Sequence, residues 1–92
     1  MKLIDVVGNI DSIEDELILF QVDRDDFSSD VILANAEEGD GGMKNEDGKT
    51  YYYLLEVFLA KEFIEDWIRS LDYVPNSNEI ARRLHYYAIN DA

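Results

Sequence analysis

The chain has 92 residues, no cysteine, 21 acidic residues against 8 basic ones and a net charge of −13. This composition excludes disulfides, thiol chemistry and zinc–thiolate sites, and it opposes binding to nucleic-acid phosphates or to anionic membranes. With 47% of its residues hydrophobic, the chain can close one core, so a single domain over 1–92 is expected.

Leu3, Val6, Val7 and Ile10 recur at i, i+3, i+4 and i+7 and predict an N-terminal helix that Gly8 weakens or ends. The acid at Asp5 is foreign to a secretory leader, and no apolar run reaches the length of a membrane span, so a cytoplasmic protein is expected. Leu17 to Val22 reads as a first strand and Val31 to Ala34 as a second, with Asp23-Arg24-Asp25-Asp26 turning the chain between them. Residues 37–49 carry four glycines and five acids and read as a flexible solvated loop. Tyr51 to Val57 reads as a third strand, with Tyr51, Tyr53, Leu55 and Val57 on one face and Tyr52, Leu54 and Glu56 on the other.

The period then lengthens. Leu59, Phe63, Ile64, Trp67, Ile68 and Leu71 make a helical stripe. Pro75 breaks it, and Asn76 with Glu79 forms an Asn version of the capping box for a last helix bearing Ile80, Leu84, Tyr87 and Ala88. The expected fold is α+β: a small three-stranded antiparallel sheet with one N-terminal and two C-terminal helices, in the order α-β-β-β-α-α. Ile18, Phe20 and Val22 alternate with Leu17 and Leu19, so the first strand is apolar on both faces. The second face is either covered by the first helix, the preferred reading, or left as a binding surface.

Catalytic signatures are missing from the sequence. His85 is the only histidine and lies in a predicted helix, where a surface or boundary role is the ordinary reading. No serine sits in a nucleophile-elbow context, and Gly39, Gly41 and Gly42 lie in an acidic loop that repels phosphate. A calcium loop with Gly48 at its sixth position puts Met43 first and Leu54 twelfth, and a frame on Gly41 puts Ala36 first; neither supplies the ligands. Glu46-Asp47-Gly48-Lys49 has the residue types of a two-metal nuclease but sits in a turn. The expectation is a protein that is not an enzyme and holds no metal or cofactor.

Charge is the stronger signal. Residues 1–47 hold 14 acids against 3 bases, whereas 48–92 hold 7 against 5. Such crowding weakens the compact state by self-repulsion and suits a basic partner instead. The acids assigned to that partner are Asp23, Asp25, Asp26, Asp30, Glu37, Glu38 and Asp40. Tyr52 and Tyr86, in the tandem runs Tyr51-Tyr52-Tyr53 and Tyr86-Tyr87, are the candidate aromatic anchors, while Tyr53 and Tyr87 are expected in the core.

The stretch Tyr53-Leu54-Leu55-Glu56-Val57, the helix containing Glu65-Asp66-Trp67, the Pro75 turn and the ending Tyr86-Tyr87-Ala88-Ile89-Asn90-Asp91-Ala92 resemble a family of small acidic bacterial proteins. Proteins of this size and charge resemble the immunity proteins of contact-dependent growth inhibition and related polymorphic toxin systems. The resemblance implies binding and neutralisation of a cognate toxin domain, often a nuclease; a monomer or weak dimer is expected, and the net negative charge argues against nucleic acid or membrane as partner. The alternative is a nucleic-acid mimic that inhibits a DNA- or RNA-binding system, which requires acids spaced like phosphates along a surface.

Overall fold

In the computed structural model, which describes residues 1–36 and 42–91, α1 (Leu3–Gly8) and a 3-10 turn (Ile10–Ser12) precede β1 (Ile18–Gln21) and β2 (Val31–Ala34). Then come β3 (Met43–Glu46), β4 (Lys49–Glu56), α2 (Val57–Arg69) and α3 (Ser77–Asn90). The sheet has four antiparallel strands in the order β2-β1-β4-β3, not the expected three.

The additional strand lies in the stretch expected to be loop. Asp47 (φ 52°) and Gly48 (φ 77°) both occupy the left-handed region, the signature of a two-residue type I′ turn. The turn sets Glu46 opposite Lys49 and Asn45 opposite Thr50, whose hydroxyl donates to Asn45 Oδ1 at 2.9 Å. Residues 37–41 of the expected loop, among them Glu37, Glu38 and Asp40, lie outside the described residues.

β4 also departs from simple alternation. Leu19 pairs with Leu55, but Phe20 pairs with Tyr53, so Leu54 is the extra residue of a β-bulge. The bulge changes the parity of the strand. Tyr51 and Tyr53 share one face with Glu56, while Leu54 and Leu55 both enter the core beneath the helices. Without it, Leu54 would face away from the helices.

The helices all lie on one side of the sheet. Leu3, Val6 and Val7 of α1, Ala60 and Ile64 of α2 and Ala81 and Leu84 of α3 close over Leu19, Val31, Leu54 and Leu55. α1 therefore belongs to this layer and does not cover the opposite face, contrary to the preferred sequence reading. That face carries its own cluster of Ile18, Phe20 and Tyr51, flanked by Val22, Ile32 and Ala34. Phe20 is buried there, with the Tyr53 ring edge-on at 6.4 Å and the Lys44 ammonium 5.8 Å from its centroid. Tyr53, expected inside, stays 37% exposed, and Tyr51 is the buried member of the triplet.

The capping box forms as read. Asn76 Oδ1 accepts from Glu79 N at 2.9 Å, Glu79 Oε1 accepts from Asn76 N at 3.2 Å, and Asp91 ends the helix in the left-handed conformation. Phe63 of α2 stacks on Tyr87 of α3 at 4.2 Å, joining the two helices. Among the described residues no helix is long and apolar enough to cross a membrane.

Candidate functional site

The connection between β1 and β2 is a short acidic loop held from beneath by one buried side chain. Gln21 follows Leu19 on the core face of β1 and is fully buried. Its Nε2 donates to the carbonyls of Asp26 (3.2 Å), Phe27 (3.4 Å) and Ser29 (3.4 Å). The two amide hydrogens are shared among these three acceptors. Since carbonyls only accept, the amide nitrogen must face the loop, and Oε1 is left facing His85 Nε2 at 3.1 Å. His85 Nε2 therefore carries a proton and donates to Gln21.

The loop's own short side chains complete the scaffold. Asp23 Oδ1 accepts from Asp25 N at 3.0 Å and Asp26 Oδ1 from Ser28 N at 2.9 Å, two Asx turns in succession. Ser29 Oγ accepts from Asp23 N at 3.2 Å and lies 2.8 Å from the Asp23 carbonyl and 2.9 Å from that of Asp26. Asp23, Asp25 and Asp26 are exposed, and none of them makes an ion pair among the described residues. The result is a fixed loop whose three exposed carboxylates have no ion-pair partner among the described residues.

Asp30, at the far end of the loop, differs. Lys49 and Lys2 both contact its carboxylate at 2.9 Å and hold it well below the usual carboxylate range. Its charge is spent on tying the N-terminal segment and the start of β4 to the β2 edge.

Two clefts flank the loop, with Arg24 in the wall of each. On one side Asp23 and Arg24 meet Tyr52, Tyr53 and Met43. On the other, Arg24, Asp25 and Phe27 meet Arg82, His85 and Tyr86 of α3. Tyr52 is 43% exposed and Tyr86 57%. The fold thus brings Asp23, Asp25, Tyr52 and Tyr86 to one surface with Asp26 on the same loop. It engages Asp30 internally, and Glu37, Glu38 and Asp40 fall outside the described residues.

Several groups of this surface were not singled out by sequence reasoning: Gln21, Arg24, Phe27 and Arg82. Gln21 carried a readable signal, a lone amide on the face of β1 shared with Leu19. His85, read as a boundary residue, is the link from α3 to this amide. Phe27 packs edge-on against its ring at 5.7 Å, and burial pushes the imidazole below its ordinary range. The Tyr53 hydroxyl donates to Glu56 Oε2 at 2.6 Å; burial, with that carboxylate second, pushes the phenol up to about 12.

Among the described residues no group of three or more acids and histidines is placed to hold a metal ion. The surface combines fixed charge, the exposed rings of Tyr52 and Tyr86 and a recess beside each. The chain matches no protein-family model, no curated protein and no solved structure.

Proposed function

We propose that this protein is an inhibitory binding protein of the immunity class, acting in the cytoplasm without catalysis or cofactor. It neutralises a cationic toxin domain, foremost a nuclease, by laying the β1–β2 loop across the toxin's basic surface. The observation that carries this reading is the pre-organised set of Asp23, Asp25 and Asp26, unpaired with any described cation and flanked by Tyr52 and Tyr86. Fixed charge speeds the encounter with an oppositely charged partner, while exposed aromatic rings supply short-range adhesion. A loop already ordered by Gln21 loses little freedom on binding.

Co-expression with the cognate toxin domain tests the reading, scored by rescue of growth. In the purified pair, Asp23→Asn with Asp25→Asn and Asp26→Asn removes charge but keeps a side-chain oxygen for each Asx turn. The association rate is expected to fall by about tenfold or more at low salt, with the melting temperature little changed. Raising ionic strength should erase the difference between wild type and variant, because the interaction is screened over about 10 Å at 0.1 M. Equal association rates for both proteins at low salt would remove the basis of the proposal.

A further inference from the structure

The cleft between the β1–β2 loop and α3 gathers two arginines against one acid, Asp25, in a chain where acids outnumber bases 21 to 8. Among the described residues Lys2, Lys49, Lys61 and Arg69 make ion pairs with acids. Arg24 and Arg82 make none among the described residues, although the chain offers 21 acids. Both line this one cleft of about 230 Å³. Arg82 is held in place by Phe27, whose ring centroid lies 4.5 Å from the guanidinium carbon. A guanidinium laid on an aromatic face keeps its in-plane N–H groups available for a planar anion. The remaining walls include Phe27, Tyr86 and Ile89, which offer apolar surface.

From this arrangement we infer that the cleft is a binding site for a monocarboxylate on an aromatic or branched apolar stem, its carboxylate received by Arg24 and Arg82. A carboxylate matches the planar fork of arginine. Asp25 stands in the same wall and the molecule carries −13 overall, so a doubly charged phosphate is opposed more strongly than a single negative charge. The volume falls below that of a drug-sized pocket and suits a fragment of one ring. Such a group can arrive as a free acid or as the C-terminal residue of a peptide. The inference does not depend on the toxin-binding reading, because no toxin enters its test.

The test is an NMR titration of the full chain with phenylacetate and with neutral phenylacetamide, at constant ionic strength. Saturable shifts are expected at the Arg24 and Arg82 side-chain N–H groups and at Tyr86 with phenylacetate. Removing the ligand charge, or substituting Arg24→Gln or Arg82→Gln, should weaken binding by about tenfold, the scale of one charge-assisted hydrogen bond. Arg69→Gln, at the end of α2, should bind as wild type. The peptide Gly-Gly-Phe as acid and amide separates the sources: tighter binding of the peptide acid than of phenylacetate assigns the site to chain termini, and equal or weaker binding to free acids. Equal shifts with phenylacetate and phenylacetamide, or wild-type affinity in both arginine variants with circular dichroism unchanged, would overturn the inference.

Discussion

Replacing Gln21 by leucine isolates the device that fixes the acidic loop. Leucine has a similar bulk and suits the apolar surroundings of Leu19 and Val31, so loss of packing is small. What disappears is hydrogen bonding: two amide hydrogens shared among the carbonyls of Asp26, Phe27 and Ser29, and the oxygen that receives His85 Nε2. At about 1 kcal/mol net for each of three bonds, the loss is about 3 kcal/mol. These hydrogen bonds are only partly buried, so solvent can replace some of the lost bonding and the expected destabilisation is about 2 kcal/mol. For a domain of this size that corresponds to a fall in melting temperature of roughly 8–16 °C. Urea unfolding followed by circular dichroism measures the stability, and amide exchange at Asp26 to Ser29 reports the loop. A loss below about 0.5 kcal/mol, the range of an ordinary surface change, with unchanged exchange in the loop, would show that Gln21 does not organise it.

Two further outcomes follow from the same geometry. Burial depresses the His85 pKa, so the unfolded chain takes up the proton first. The stability this supplies is complete above about 6.5, the ordinary histidine value, and declines as pH falls from there to the folded-state value. Urea midpoints between pH 8 and pH 5 should fall more steeply for wild type than for His85→Gln; a shallower fall for wild type would show that the imidazolium is favoured in the fold. Leu54→Ala should cost about 2–5 kcal/mol, as for a core leucine, because the bulge turns this side chain beneath the helices; a loss of less than about 0.5 kcal/mol in urea unfolding would place it on a surface.

The helices were legible in the sequence because their signals are local. Asn76 and Glu79 are three residues apart and cap one another, and the apolar stripe of α2 depends only on helical period. The sheet was legible in part. β1 and β2 are apolar runs and read directly, whereas β3 is Met-Lys-Asn-Glu and carries no strand-like pattern. Its marker was Asp47-Gly48, a dipeptide made for the type I′ turn, but the polar flanks of that turn obscured it. The bulge at Leu54 was beyond periodicity altogether, since two consecutive core leucines contradict alternation. It is the tertiary demand of the helix layer that selects the shift.

The candidate site illustrates a different limit. Asp23, Asp25, Asp26 and Asp30 sit within eight residues and are equivalent as charges in a composition. Their roles separate only when distant residues arrive: Lys2 and Lys49 neutralise Asp30, while the first three keep their charge outward. The same folding places Arg82, from the last helix, beside a cleft that also receives Arg24 from the middle of the acidic run. The surface is therefore of mixed sign at short range, although strongly negative at long range. A uniformly basic partner would be drawn in by the distant field and opposed at Arg24 and Arg82 on contact. A partner that also presents one carboxylate among its basic groups would satisfy both signs. On the proposed toxin-binding reading, net charge then governs the rate of encounter, and the two arginines govern which cationic proteins remain bound.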